Sequence, residues 1–243
     1  MRDAPRSAAA MVIMVILLAI VQTAAMAATE RTLRFSVSLD GRDIGEHRFV
    51  IRDAVASSDE PASAERVRSV TIEADFLVRL LRIPVFRYSH LNHEFWDGGC
   101  LYRLESETVT NGSAQQVELA RGGSGYLISA ADREQRLDTP CLLSFAYWDP
   151  AIIGAEQLVN AQNGALVDVE ITALGRQRPD WLDAAGTDTP VQAFRIQADD
   201  DGDGSAIDIR VYYSDDWDWV GLESPVTGGR LMRYHRIDTA AAD

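Results

Sequence analysis

The chain contains no lysine. Its 23 basic residues are all arginine and stand against 37 acidic ones, a formal net charge of −14 over 243 residues. This shortage of positive charge excludes partners. A nucleic-acid surface needs a basic stripe to neutralise phosphates, and the balance here opposes one. Adhesion to anionic lipid headgroups is disfavoured for the same reason. The missing lysine itself reflects a GC-rich genome that favours arginine codons and carries no functional message.

Cysteine is nearly absent too, with only Cys100 and Cys141. Two cysteines without a Cys-x-x-Cys pair speak against a zinc site. None stands near the N-terminus, which excludes a lipid-modified start. In an oxidising compartment Cys100 and Cys141 could pair and stabilise the fold by roughly 3 to 4 kcal/mol. Spacing alone leaves two separate buried thiols equally open.

Beyond the N-terminus no segment reaches about 18 consecutive apolar residues, so nothing later spans a bilayer as a helix. The N-terminus is different: Arg2 and Arg6 precede an uninterrupted apolar run over 11–21, followed by Ala25-Met26-Ala27. A basic start, a short apolar core and a small-x-small site predict a cleaved secretory signal over 1–27. The competing reading is an uncleaved anchor over 8–28, which is just long enough to cross a bilayer. With the signal removed, 21 basic and 36 acidic residues remain. No integral anchor is then expected, and the location implied is the periplasm or exterior of a Gram-negative cell.

What is present describes an ordinary globular protein, 47% hydrophobic and 25% charged. Leu33, Phe35, Val37 and Leu39 alternate with polar residues, then 40–45 supplies turn residues and 46–51 returns as a strand, which predicts a β-hairpin. Residues 53–65 read as an exposed loop. Segment 67–74 alternates again, while 76–85 reads as a buried strand or a short helix interrupted by Pro84. Further strands are expected at 87–96, 101–108, 116–120, 126–130, 166–173, 191–197, 207–213, 219–223 and 231–236, many of them separated by Gly-rich turns. Only 150–160 looks helical. The pattern predicts an all-β single domain over 28–238, a highly curved antiparallel sheet or half-barrel with one short helix, and a disordered tail over 239–243.

Candidate sites are few. The run Asp199-Asp200-Asp201-Gly202-Asp203-Gly204 invites a calcium reading, with Asp199, Asp201 and Asp203 as oxygen ligands. The position that should supply a bidentate Glu is Arg210, however, and the flanks are strand-like, which favours an acidic hairpin turn; no other cofactor is expected. His90 and His93, followed by Glu94, offer metal-ligand types, but three apart on a strand the two imidazoles point to opposite faces, which favours one inward and one outward histidine. Gly122-Gly123-Ser124-Gly125 does not match the Gly-x-Ser-x-Gly nucleophile turn. Asp215, Asp216 and Asp218 are paired carboxylates that could do acid-base work, yet in so acidic a chain such pairs arise by chance, so no catalytic residue is assigned. The aromatic residues Tyr147, Trp148, Trp217 and Trp219 are candidates to line a ligand pocket; the alternative is that they fill the core of a curved sheet.

The stretch Ser144-Phe145-Ala146-Tyr147-Trp148-Asp149-Pro150 is followed by Leu158 and Gln162-Asn163-Gly164. The chain ends with Tyr212-Tyr213, then Trp219-Val220-Gly221-Leu222-Glu223, Gly229-Arg230-Leu231 and Tyr234. With the early Phe35, Leu39-Asp40-Gly41 and Ile44-Gly45, and with Glu94-Phe95-Trp96, these segments span nearly the whole exported chain. They resemble an uncharacterised family of exported proteobacterial proteins, domain of unknown function 6134, and more distantly 3108. The resemblance implies a secreted single-domain β-protein with a highly curved antiparallel sheet, similar to the half-barrels of envelope lipoprotein carriers. It assigns no site residues.

The expectation is therefore a non-catalytic periplasmic β-domain binding an apolar ligand or an envelope partner. Two alternatives are an envelope hydrolase with a carboxylate-based site and a calcium-stabilised structural domain. The sequence gives no oligomeric state.

Overall fold

Strict alternation of apolar and polar side chains lets a strand bury one face and solvate the other. Strand β1 (Thr29–Leu39) does so, with Leu33, Phe35, Val37 and Leu39 buried and the intervening residues outward. The computed structural model describes residues 29–55, 66–131, 133–185, 189–226 and 228–237. The expected signal peptide over 1–27 and the tail over 239–243 lie outside the described residues.

The first meander continues through β2 (Arg42–Val55), β3 (Arg66–Leu80), β4 (Ile83–Asp97), β5 (Cys100–Thr110), β6 (Ser113–Gly122), β7 (Gly125–Ala130) and β8 (Arg133–Leu137). A second comprises β11 (Glu170–Gln177), β12 (Val191–Ala198), β13 (Ile207–Tyr213), β14 (Trp219–Val226) and β15 (Arg230–Arg236). The last strand pairs antiparallel with the first, Phe35 opposite Arg236 and Leu39 opposite Met232. This seam joins the meanders into one 13-stranded sheet running from β11 to β8, whose two edges remain open. The highly curved antiparallel sheet read from the sequence is the observed fold. Among the described residues no helix is long and apolar enough to cross a membrane.

Two-residue turns close several hairpins. Asp40-Gly41, Gly98-Gly99 and Asn111-Gly112 all have positive φ at both positions, the left-handed geometry that matches strand twist and favours Gly, Asn and Asp. At Gly45 a glycine is required for space: a Cβ there would sit 1.9 Å from the carbonyl oxygen of Asp75 on β3. Register shifts at Val37/Ser38, Val78/Arg79, Phe95/Trp96 and Tyr212/Tyr213 add the local bend and twist that bulges give a sheet.

The segment between β8 and β11 packs into the core that the sheet curls around. Leu142, Ala146, Trp148, Ile152, Leu158 and Val159 belong to the same buried cluster as Phe35, Phe49, Leu104 and Ile128 of the strands. Backbone and side-chain bonds anchor this plug to the sheet: Leu101 N–H donates to Leu142 O and the Tyr213 hydroxyl to Tyr147 O, while within the plug Val159 N–H donates to Leu143 O. The helix expected over 150–160 is shorter than that. Pro150–Gly154 forms a single 3-10 turn capped by the Asp149 carboxylate. Gln157–Val159 (β9) then pairs with Leu166–Asp168 (β10). Pairing within the plug overrides the helical reading of Ile152, Ile153 and Leu158.

Two more details differ from the sequence reading. Phe76 lies within β3 and Pro84 within β4, so 76–85 is strand on both sides of a turn. The stretch 166–173 divides between β10 and β11.

Cys100 and Cys141 are joined in a disulfide, with Cα atoms 5.2 Å apart and a sequence separation of 41. It ties the start of the plug to the start of β5. Closing a loop of that length restricts the unfolded chain by about 4 kcal/mol in the chain-entropy account. The Cys100→Ser/Cys141→Ser double variant should therefore unfold in urea with a stability lower by about 2 to 4 kcal/mol at an unchanged fold, checked by circular dichroism and denaturant midpoint.

Candidate functional site

Polar residues stand where β4 should be apolar. His90, Asn92 and Glu94 alternate on its inward face and are buried, whereas Leu91 and His93 face outward, His93 near Thr71 on the neighbouring strand. The two histidines thus diverge, as their spacing on a strand requires. Against the inward row lies a cavity of about 250 Å³. Its walls come from β2, β3 and β4 on one side, β13, β14 and β15 on the other, and the plug. Phe49, Phe76, Phe145 and Leu222 contribute apolar surface; His47, Ser144, Tyr147 and Tyr234 contribute polar atoms.

Glu94 is held firmly. Asn92 Nδ2 donates to its Oε1 at 3.0 Å and Trp96 Nε1 to its Oε2 at 3.1 Å. Burial pushes its pKa up, opposed by the donors Ser144, Asn92 and Trp96, which favour the carboxylate. Ser144 Oγ approaches closely enough to exert that influence but makes no well-formed hydrogen bond. His90 Nδ1 bonds Thr108 Oγ1 at 2.8 Å, and burial lowers its pKa to about 4. His47 is partly exposed as a residue, yet both ring nitrogens are shut off from solvent and have no partner in the protein. Burial and the neighbouring His90 lower its pKa to about 3. The Tyr88, Tyr147 and Tyr234 hydroxyls are raised by burial. Both imidazoles and all three phenols are therefore neutral near pH 7.

Four buried polar atoms on this wall lack a protein partner: both ring nitrogens of His47, Asn92 Oδ1 and Ser144 Oγ. Such atoms are rare in folded proteins because each forfeits the hydrogen bond it would make in water. The arrangement presents unpaired hydrogen-bonding atoms to the cavity. Ser144 Oγ has no hydrogen-bond partner, and His90 Nδ1 is committed to Thr108.

Of the four aromatic candidates only Tyr147 lines this cavity. Trp148 is buried on the other side of the plug, edge-on to Trp96 at 5.4 Å and beneath the Arg68 guanidinium at 5.2 Å. Trp219 fills the core at the seam, its ring 4.0 Å from Phe35 and 5.1 Å from Phe49. Trp217 is 47% exposed, in the turn between β13 and β14. The acidic run at Asp199, Asp201 and Asp203 forms a tight turn. There Asp200 Oδ1 accepts from the Gly202 and Gly204 amides and Asp201 Oδ1 from those of Asp203 and Ser205. Among the described residues no group of three or more His, Cys, Asp or Glu is placed to hold a metal. The turn's contribution to the plug is structural: Asn160 and Asn163 both donate to Asp201 O.

The sequence reading weighed Glu94 only as a metal ligand beside His90 and His93, and missed His47, Asn92 and Ser144. The available signal was the spacing His90-x-Asn92-x-Glu94-x-Trp96, which places polar groups on the face that Trp96 shares with the core.

The family profile described as Domain of unknown function (DUF6134) matches residues 35–237. The chain belongs to DUF6134. The DUF6134 chain also has a structural neighbour, the crystal structure of a beta-barrel-like protein of domain of unknown function DUF1849 from Brucella abortus. The TM-score is 0.57 at 14% identity over 88% of this chain and 98% of that one. At such identity the likeness speaks to the fold. No curated protein matches the sequence.

The buried titratable groups act on stability in opposite directions. Below pH 6.5 the unfolded chain protonates its histidines, whereas folded His47 and His90 resist until about 3 and about 4, so both weaken the fold as pH falls. Glu94 has a raised pKa, so above about pH 4.5 the unfolded chain loses a proton that the folded one keeps, and stability falls as pH rises. Each proton difference tilts stability by up to about 1.4 kcal/mol per pH unit. In urea unfolding between pH 5 and 7, Glu94→Gln should steepen the loss of stability on acidification and His47→Phe should make it shallower.

Proposed function

We propose that the DUF6134 chain is an exported, periplasmic binding domain. It takes a small, uncharged, largely apolar ligand with a hydrogen-bonding head into the cavity beside β4. The observation that carries this reading is the pairing of apolar walls with four unpartnered buried polar atoms, on His47, Asn92 and Ser144. Apolar surface supplies affinity and a few placed polar groups fix orientation, the usual division in small-molecule sites. Neutral imidazoles and phenols suit a neutral head, such as a hydroxyl or a carboxamide. A water occupies about 30 Å³, so the cavity suits a small molecule or the end of a longer one. Export is supported by the basic start, apolar run and Ala-x-Ala at the N-terminus, and by the disulfide, which needs an oxidising compartment to persist.

Native mass spectrometry of protein purified from the periplasm tests this. The expected result is added mass from a small neutral molecule, absent from an Ala161→Phe variant that projects a ring into the cavity. Ligand-free protein should also melt higher with short-chain alcohols, from butanol to octanol, because a ligand that binds only the native state stabilises it. A periplasmic sample with no added mass, together with no alcohol raising the melting temperature, overturns the reading.

A further inference from the structure

One part of the sheet stands clear of its neighbours. Pairing of β2 with β3 ends at Gly45 opposite Phe76, and pairing of β4 with β5 ends at Tyr88 opposite Thr110. Residues 77–86 therefore form a two-stranded finger whose strands pair only with each other, with Arg87 at its base bonded through its backbone to Asn111. A free ribbon of this kind is marginal in water. This one is also apolar: Leu80 is 61% exposed, Leu81 89%, Ile83 66% and Val85 53%. They are four of the seven large hydrophobic side chains exposed among the described residues.

The finger's charge is as unusual as its exposure. Residues 76–88 hold Arg79, Arg82 and Arg87 and no acid, within a chain of net charge −14. Elsewhere arginines face carboxylates across strands, as in Arg34–Glu46, Arg48–Glu73 and Arg195–Asp208. The three finger guanidinium groups have no ion pair or side-chain hydrogen bond among the described residues. The turn is costly as well: Leu81 and Arg82 hold φ at 48° and 75°, a left-handed geometry that Asp-Gly, Asn-Gly and Gly-Gly adopt in the other tight turns and that bulky residues resist. That geometry places an apolar side chain at the extreme tip.

We propose that this finger docks on an anionic lipid surface, with Leu80, Leu81, Ile83 and Val85 entering the headgroup boundary and Arg79, Arg82 and Arg87 meeting lipid phosphates. Apolar residues beside unpaired arginines, with phosphate as the complementary charge, are what interfacial anchoring requires. A net charge summed over the whole chain does not describe this spot, because screening confines charge effects to about 8 Å at physiological salt. A protein partner fits less well, since the apolar groups crown a projection instead of lining a groove. The finger also leads inward: Phe76, Val78 and Leu80 share one face of β3, and Phe76, stacked on Tyr88 at 5.3 Å, lines the cavity. The docking stands whether or not the cavity takes a ligand.

Co-sedimentation with vesicles tests it, using wild type and variants with identical N-termini so that only the finger differs. The chain should pellet with vesicles containing phosphatidylglycerol, weakly with pure phosphatidylcholine, and less as salt rises. Arg79→Gln/Arg82→Gln/Arg87→Gln should weaken partitioning on the order of 100-fold, and Leu80→Ser/Leu81→Ser by at least about tenfold. Both variants should keep the wild-type melting temperature. In a Leu81→Trp variant, emission should shift to the blue on adding phosphatidylglycerol vesicles. Variants that bind as wild type does, equal binding to both lipids, or a wild type left in the supernatant would each overturn the proposal. So would a concentration-dependent dimer abolished by Leu80→Ser/Leu81→Ser, which would assign the finger to a second copy of the chain.

Discussion

A curved sheet of 13 strands has a concave face wider than its own side chains can fill, and the rest of the structure follows from that shortage. In a closed small barrel, inward side chains meet in the middle. Here the edges at β11 and β8 stay apart, and a separate stretch of chain fills the interior. The plug satisfies its backbone there by bonding to Leu101 and Tyr213 and by pairing β9 with β10, as a buried irregular segment must. The disulfide and the Asn160 and Asn163 bonds to the Asp201 turn hold its two ends. Aromatic packing of Trp219 on Phe35 and Phe49 secures the opposite side, where the last strand meets the first.

Where plug and sheet do not meet, a cavity remains, and its chemistry is set by burial. An imidazole removed from water loses the stabilisation of its charged form, so His47 and His90 stay neutral far below their ordinary range. The same effect pushes Glu94 the other way. The wall is thus rich in hydrogen-bonding atoms, with its imidazoles uncharged near pH 7, within a chain that is strongly acidic as a whole. Acidity is carried on the outer surface instead, much of it in cross-strand ion pairs with arginine that individually contribute little.

Much of the fold was legible in the residues. Leu33 to Leu39 alternates in sequence as it does in burial, and Asp40-Gly41 and Asn111-Gly112 announce hairpin turns that the backbone makes. The stretch 150–160 misled, because short apolar segments do not distinguish a helix from a plug held by tertiary bonds. The site was less legible. Tryptophans attracted attention as pocket-formers, yet Trp148 and Trp219 are large enough to be most useful as filling. The cavity wall was written in residues that look ordinary in isolation: one histidine on β2, a polar triplet on β4 and one serine in the plug. They lie 97 positions apart at the extremes, from His47 to Ser144, and only folding brings them together.

By itself, then, the sequence determined the β-class, the single curved sheet and the positions of most strands, because these rest on period-two patterning and turn chemistry, which are local. Family membership was legible from runs such as Tyr147-Trp148-Asp149-Pro150, each local in sequence, that resemble those of DUF6134. The tertiary structure alone decided that Cys100 and Cys141 meet, that the last strand closes on the first, that Tyr147 lines the cavity beside β4 while Trp148 faces a separate one beside Arg68 and Trp219 packs at the seam, and that the finger at Leu80 to Val85 is bare. Each of these depends on which distant surfaces come into contact, and no local periodicity carries that information.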